Sequence, residues 1–181
     1  ESYAISVQNF RDQLGFYYNT TVVDNIITTN VPAIFIDKTK GNGYYSPEPI
    51  DIEDNTVTYT GAVEYTIDDD HYFLFFNDDG TPTDLLNPEG NYTLYIDTLN
   101  GKNIKIPTGN NIYITAKEGA GIINNGSITI GNDVDEMKSI FIDGLTFNNF
   151  NKNGITVLQN VKDSSIAQNT FNLTYDDSIE W

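Results

Sequence analysis

Pairs of carboxylates are the side chains in this sequence that could act on a carbohydrate polymer. Asp143 and Asp163 fall in neighbouring repeats of the chain, and a glycoside hydrolase needs two carboxyl groups about 5–10 Å apart across a cleft. In a chain with 26 acidic residues, however, such pairs also arise by chance. A polysaccharide lyase needs a base, and the residues after position 90 include no arginine or histidine, while the lysines there form no recognisable constellation. We therefore predict no catalytic residue and a protein that is not an enzyme.

The single histidine and two acidic clusters are candidate metal ligands. His71 follows three aspartates at 68–70, and a second cluster at 77–80 reads NDDG. One imidazole makes no zinc site, and neither cluster has the spacing of a calcium-binding loop. We expect His71 to be a surface or capping residue and the clusters to form turns and caps. No cofactor or metal site is predicted, with calcium as the open alternative.

Four Asn-x-Ser/Thr sequons are candidate N-glycosylation sites. They begin at Asn19, Asn91, Asn125 and Asn172. Glycosylation at such sequons would place the protein outside the cell. The alternative is that a chain rich in Asn and Thr forms sequons by chance.

Tyrosines are unusually common, with 12 in the chain. A sugar-stacking or protein-binding surface could be formed by Tyr44, Tyr45, Tyr113 and Tyr175. An aromatic ring offers a large contact area at a low entropy cost. The alternative is that these tyrosines lie on the outer faces of strands only because tyrosine suits β structure.

The composition excludes several classes of partner. The 181 residues are enough for one domain with a core, and the formal net charge is −17. Such a charge repels nucleic acid and anionic lipid, so neither is a predicted partner. The longest wholly apolar or aromatic run, at 72–76, is far short of the roughly 20 residues that span a bilayer. The absence of cysteine excludes disulfides and thiolate metal sites. No targeting leader opens the chain, which we interpret as already processed.

The last third of the chain repeats itself. Residues 142–147 (IDGLTF) return as 166–171 (IAQNTF), and residues 127–130 (SITI) return as 154–157 (GITV). Strand-like patterns that recur at a period in the mid-twenties are typical of successive coils of a parallel β-solenoid. Stacked coils place like residues about 4.8 Å apart, so we expect Ile on Ile, Phe on Phe, and Asn148 on Asn172. The predicted fold class is all-β.

Three regions are predicted along the chain. Residues 1–45 read as an irregular N-terminal segment or arm, with strand-like alternation at 2–7, a helix-like pattern from Phe10 to Tyr18 and a short strand at 31–36. Residues 46–89 read as a β-rich cap. In it, the aspartates at 68–70 cap one or two helical turns of an aromatic run that Gly80 ends, and this run forms a lid over the open solenoid. Residues 90–181 read as the coils, with an acidic loop at 133–138.

Three segments of the chain carry a resemblance to a known family: 90–93 (GNYT), 99–104 (LNGKNI) and 140–150 (IFIDGLTFNNF). They resemble the coils of adhesin-like surface proteins of methanogenic archaea. The resemblance covers about 90–175, and a looser likeness extends over 59–80. It implies a right-handed parallel β-helix, similar in fold to pectate lyases. It also implies a cell-surface location and contact with glycans or other cells, but it transmits no activity.

The predicted protein is therefore a non-catalytic, extracellular cell-surface adhesin. Its expected partners are the surface glycans or proteins of another cell, and possible further partners are copies of itself. The first alternative is a self-assembling subunit of an extracellular filament or surface layer, which would use the N-terminal arm and the open β-helix end. The second alternative is a polysaccharide lyase or hydrolase.

Overall fold

The structure is a computed structural model that describes residues 2–8, 21–37, 51–132, 136–158 and 161–173. Within these ranges it contains 18 β-strands and one short helix. The strands of the first half are β1 (Ile5–Gln8), β2 (Thr21–Val23), β3 (Ile26–Thr29), β4 (Ile34–Asp37), β5 (Asp51–Glu53), β6 (Thr56–Tyr59) and β7 (Val63–Ile67), followed by α1 (Tyr72–Phe75). The later strands are β8 (Asn91–Ile96), β9 (Thr98–Asn100), β10 (Asn103–Ile106), β11 (Asn111–Ala116), β12 (Ile122–Asn124), β13 (Ser127–Ile130), β14 (Met137–Asp143), β15 (Thr146–Asn148), β16 (Ile155–Val157), β17 (Val161–Ala167) and β18 (Thr170–Asn172).

Three parallel sheets run along the second half of the chain. Their strand orders are β7-β8-β11-β14-β17, β9-β12-β15-β18 and β10-β13-β16. Successive coils each add a strand to these sheets, which is the arrangement of a parallel β-solenoid of about three turns. The predicted fold class is confirmed.

The repeats stack in the predicted register. Ile142 pairs with Ile166, Phe147 with Phe171, and Ile128 with Ile155. Strand residues alternate between the interior and the surface, as in β8, where every second side chain is buried. Each aliphatic side chain that is fully buried in these columns contributes about 1.5–3 kcal/mol. The columns therefore hold the coils together.

A ladder of asparagine side chains runs up one corner of the solenoid. Each side-chain amide nitrogen donates to the amide oxygen of the Asn in the preceding coil at 2.9 Å. The bonds run from Asn172 to Asn148, from Asn148 to Asn124 and from Asn124 to Asn100. The residues that follow two of these rungs, Asn125 and Asn149, have a φ of 53°. Their backbone N–H groups donate to the carbonyl of the next Asn in the ladder, at 2.8 and 2.9 Å. The predicted stacking of Asn148 on Asn172 is confirmed.

The described parts of residues 1–45 contain four strands, of which β1 and β4 overlap the strands predicted at 2–7 and 31–36, while β2 and β3 were not predicted. β1 pairs with β4, β2 with β5 and β3 with β6, and all three pairs are parallel. Asp24 and Asp54 form the corners after β2 and β5 with φ of 56° and 55°. The same strand, left-handed corner and strand pattern therefore extends to this end of the molecule. The helix-like pattern from Phe10 to Tyr18 lies outside the described residues.

The aromatic segment 68–90 lies between the paired N-terminal strands and the coils. Leu74, Phe75 and Phe76 are buried. The carbonyl of Gly80 accepts from the backbone N–H of Lys105 at 2.8 Å, and the Tyr59 hydroxyl donates to the Leu85 carbonyl at 2.5 Å. The segment, which we call the lid segment, thus covers the edge of the first coil. The helix ends at Phe75, before Gly80.

The acidic stretch at 133–138 was predicted to be a loop throughout, which is wrong at its end. Met137 is fully buried and pairs with Val161, so β14 begins within the stretch. The Met137 side chain is buried in the interior of the solenoid, and this burial of apolar surface favours a strand over a loop here. Residues 133–135 lie outside the described residues.

Replacement of an interior rung of the Asn ladder should cost more stability than replacement of the last described rung. Asn148→Ala removes two side-chain hydrogen bonds, whereas Asn172→Ala removes one. We expect losses of about 1–3 and about 0.5–1.5 kcal/mol in the free energy of unfolding. Urea denaturation of both variants and the wild type checks this, and equal losses would contradict the ladder.

Candidate ligand-binding face

The candidate carboxylate pair, Asp143 and Asp163, is not assembled. Asp143 lies opposite Ala167, whereas Asp163 lies opposite Ser139. The two aspartates are therefore offset by four positions along neighbouring strands, a distance of about 13 Å at roughly 3.3 Å per position. That separation exceeds the range in which two carboxyl groups act on one glycosidic bond.

The acidic clusters bind neighbouring parts of the protein. One oxygen of Asp68 accepts from the His71 backbone N–H at 2.8 Å and lies 2.7 Å from the ring nitrogen Nδ1. Asp69 accepts from the backbone N–H of Asn100 at 2.8 Å, and Asp79 accepts from the Thr81 hydroxyl at 2.6 Å. In the described part of the chain, no three His, Asp or Glu side chains converge as they would around a metal ion.

His71 is a buried packing residue, so the expectation of a surface position is wrong. It is 8% exposed, and its ring stacks on Phe35 with centroids 4.6 Å apart. It occupies the N-cap position of α1 but makes no side-chain capping bond. The histidine thereby links the lid segment to the N-terminal strands.

The sequons occupy different environments. Asn125 is exposed at a corner, Asn91 is half-buried at the start of β8, and Asn172 is exposed but donates to Asn148. A glycan on Asn172 would compete with that hydrogen bond. Asn19 lies outside the described residues.

Three aromatic side chains form a row on the outer face of the five-stranded sheet, which we call the aromatic face: Tyr95, Tyr113 and Phe141. The buried Ile or Leu on either side of each ring forces it outward, because strand residues alternate between faces. Tyr113 pairs directly with Phe141, and their rings meet edge to face with centroids 6.4 Å apart. Tyr113 is 38% exposed and Phe141 47%. Of the four tyrosines singled out from the sequence, the other three lie outside the described residues.

Two carboxylates border the aromatic face. The Tyr113 hydroxyl donates to Asp143 Oδ2 at 3.3 Å, and the Tyr95 hydroxyl donates to Glu64 Oε1 at 3.5 Å. The other oxygen of Asp143, Oδ1, is buried and has no hydrogen-bond partner in the part of the molecule that the structure describes. Partial desolvation and the neighbouring Glu64 carboxylate raise the pKa of Tyr95 above its ordinary value, so its hydroxyl stays protonated at neutral pH. The face thus combines ring surfaces with hydrogen-bond acceptors.

A cleft of about 430 Å³ adjoins this face. Glu64, Thr93 and Tyr95 line it from the five-stranded sheet, and Tyr3 and Asn30 line it from the N-terminal strands. The cleft and the aromatic face share Tyr95, so a ligand lying across the coils could contact both. Two other depressions, of about 520 and 610 Å³, border the lid segment and do not reach the aromatic face.

No family model matches the sequence, and comparisons with curated proteins and with solved structures find no similar protein. The fold defines the chain as a parallel β-solenoid protein, so the parallel β-solenoid that the resemblance implied is confirmed. The relation to archaeal surface proteins remains a prediction from the sequence motifs. Among the described residues, no helix is long and apolar enough to cross a membrane.

Three members of the candidate site were not identified from the sequence: Tyr95, Phe141 and Glu64. Phe141 lies between Ile140 and Ile142, so the run reads as continuous core. The available signal was the alternation itself, since the position between two buried residues of a strand faces outward.

Acid should remove the contribution of Asp68 to stability. Partial burial opposes ionisation, but the hydrogen bonds from the His71 ring and backbone outweigh it and lower the pKa of Asp68 below its ordinary value. Because the folded-state pKa is depressed, this stabilisation is fully present above about pH 4 and is lost as the pH falls through the lower folded-state pKa. Asp68→Asn should therefore destabilise the protein by about 1 kcal/mol near pH 7, and by less near pH 2.5.

Urea denaturation at the two pH values checks this prediction. Asp70→Asn is the matched control, because Asp70 is an exposed neighbour in the same cluster. A difference between Asp68→Asn and wild type that stays constant with pH would contradict it.

Proposed function

We propose that this protein is a non-catalytic, extracellular, adhesin-like surface protein that binds glycans of another cell through the aromatic face. The observation that carries the proposal is the row of outward-facing rings at Tyr95, Tyr113 and Phe141, bordered by carboxylates and adjoining a cleft. Aromatic rings stack on the apolar faces of sugar rings, and carboxylates accept hydrogen bonds from sugar hydroxyls.

The spacing of the rings suits a polymer better than a single sugar. Tyr113 and Phe141 belong to neighbouring coils, and neighbouring strands lie about 4.8 Å apart. A glycan chain aligned with the solenoid axis would contact successive coils at similar intervals. Several weak contacts along one polymer then act together, because each bound unit raises the effective concentration of the next.

The charge of the protein selects the class of glycan. The formal net charge is −17, and Glu64 and Asp143 add negative charge at the aromatic face itself. An acidic polysaccharide would be repelled, whereas a neutral or amino-bearing glycan would not. We therefore propose neutral glycans or amino sugars as the ligands, in contrast to the acidic polymers that lyases of similar fold cleave.

The solenoid supports binding through its rigidity. The strands that carry Tyr95, Tyr113 and Phe141 are fixed by parallel hydrogen bonding to one another and by the buried columns beneath them. A surface that is ordered before binding loses little conformational entropy on contact. The exposed sequon at Asn125 fits an extracellular location.

Binding to immobilised insoluble polysaccharides tests this proposal. Wild-type protein should bind chitin or cellulose and should not bind polygalacturonate. Tyr113→Ala combined with Phe141→Ala should weaken binding about thirtyfold or more, because each of the two stacked rings contributes about 1 kcal/mol or more. The expected release of reducing or unsaturated ends is zero.

Phe171→Ala is the matched control, since Phe171 is as exposed as Phe141, at 47%, but lies on the last coil away from the aromatic face. It should leave glycan binding unchanged. Absence of binding to any neutral or amino-bearing glycan, or equal binding by the double variant, would contradict the proposal.

A further inference from the structure

The outward positions around the aromatic face form two columns across four successive strands, β7, β8, β11 and β14. The first column is Glu64, Thr93, Tyr113 and Phe141, and the second column is Thr66, Tyr95, Thr115 and Asp143. The only charged side chains in these two columns are Glu64 on β7 and Asp143 on β14. The three rings therefore lie between two negative charges, with no lysine or arginine beside them in either column.

The two carboxylates are too far apart to share a small ion. Glu64 and Asp143 are separated by three strand spacings and by two positions along the strands. At about 4.8 Å per strand and about 3.3 Å per position, their Cα atoms lie about 16 Å apart. The oxygen ligands of one metal ion lie within about 2–3 Å of it. A ligand that neutralises both charges is therefore an extended molecule with a cationic group near each end.

Tyrosine hydroxyls hold both carboxylates beside the rings. Tyr95 donates to Glu64 Oε1 at 3.5 Å, on the strand before its own, and Tyr113 donates to Asp143 Oδ2 at 3.3 Å, on the strand after its own. A carboxylate has about four lone-pair sites, so each one keeps the capacity to accept further hydrogen bonds. Because the carboxylates are positioned before a ligand arrives, little conformational entropy is lost when the ligand binds them.

The order of side chains across the strands describes the shape of the ligand. A molecule aligned with the solenoid axis passes first over Glu64, then over Tyr95 and Tyr113, and finally over Phe141 and Asp143. Its middle therefore meets ring surfaces, and its two ends meet carboxylates. At about one sugar ring per strand, these four strands accommodate about four sugar units.

We propose that the aromatic face binds an amino-bearing oligosaccharide of about four sugar units, whose ammonium groups pair with Glu64 at one end and Asp143 at the other. This inference rests on the proposed glycan binding, and within it selects protonated amino sugars over neutral sugars. An ammonium group donates charge-assisted hydrogen bonds to a carboxylate, whereas an acetylated amine keeps only a neutral N–H.

A basic peptide would also carry two positive charges, but it fits the rings less well. The aromatic rings of the face stack on rigid rings that have an apolar side, and sugar rings provide this. Lysine and arginine side chains are flexible, so ordering several of them on the face costs conformational entropy that a stiff glycan does not lose.

Oligosaccharides that differ only in acetylation test the inference. Titration calorimetry of the full chain compares glucosamine oligomers with N-acetylglucosamine oligomers of equal length at low salt and about pH 6, below the pKa of a primary amine. The glucosamine tetrasaccharide should bind about tenfold or more tightly than its acetylated counterpart, and salt should reduce this preference. The disaccharide should show a much smaller preference, because it reaches only one carboxylate.

Glu64→Gln and Asp143→Asn test whether these two carboxylates create the preference. The measured quantity is the ratio of the two affinities, because a purely structural change of the face would weaken both ligands alike. Each variant should lower the ratio about threefold, and the double variant should bring it close to unity. Glu118→Gln is the matched control, since Glu118 is exposed at the turn after β11 and outside both columns. It removes the same charge and should leave the ratio unchanged.

Equal affinity for the amino and acetylated tetrasaccharides would overturn this inference. An unchanged ratio in the double variant, or an equal loss in Glu118→Gln, would do the same. Oligolysine that binds as tightly as the glucosamine tetrasaccharide, and that loses affinity in both variants, would assign the face to basic peptides instead. The proposed glycan binding fails separately, if neither kind of oligosaccharide binds or if loss of the Tyr113 and Phe141 rings leaves binding unchanged. Circular dichroism of each variant separates loss of binding from loss of folding.

Discussion

In-register stacking of like residues is the constraint on which the rest of the structure depends. Each coil must place its Ile, Phe and Asn above those of the coil before, because parallel strands pair at fixed spacing and side chains alternate between faces. The Asn ladder satisfies polar groups at the corner while the aliphatic columns fill the interior. The same alternation forces the residues between the buried ones outward, and it is this that aligns Tyr113 with Phe141.

The regularity of the repeat decided how much of the fold could be predicted. Where neighbouring coils are equal in length, identical letters such as those of Phe147 and Phe171 revealed both architecture and register. At the N-terminal end the identities between coils are few, such as Asp24-Asn25 over Asp54-Asn55, so this repeat was not recognised. The candidate carboxylate pair does not follow this register. Asp143 stacks on Ala167 rather than on Asp163, and the two aspartates therefore do not meet.

The candidate site was only partly predictable for a related reason. Tyr113 could be singled out from the sequence as a tyrosine on the outer face of a strand. The other two rings of the row lie on neighbouring coils, so the sequence did not show that they adjoin Tyr113. Phe141 pairs with Tyr113 directly, whereas Tyr95 pairs with Thr115, one outward position further along the strand. The number of residues between stacked positions is 20 from β8 to β11 and 28 from β11 to β14, because the corner loops differ in length. The sequence alone does not show which positions of such unequal coils lie above one another.

A solenoid built in this way has two kinds of surface, a side face whose chemistry varies and an end whose shape repeats the interior. Side-face residues such as Tyr113 and Phe141 project between buried neighbours, whereas Ile166 and Phe171 at the end continue the interior columns. The proposed glycan contact uses the first surface, so it can be altered without disturbing the interior columns.

The most direct test of this account is a nuclear Overhauser experiment on the side-chain amides of the asparagine ladder. In-register stacking predicts cross-peaks that connect Asn100 to Asn124, Asn124 to Asn148, and Asn148 to Asn172. It predicts no cross-peak between Asn100 and Asn148. Cross-peaks that link these amides in any other order, or to residues outside this register, would contradict the stacking from which the aromatic face follows.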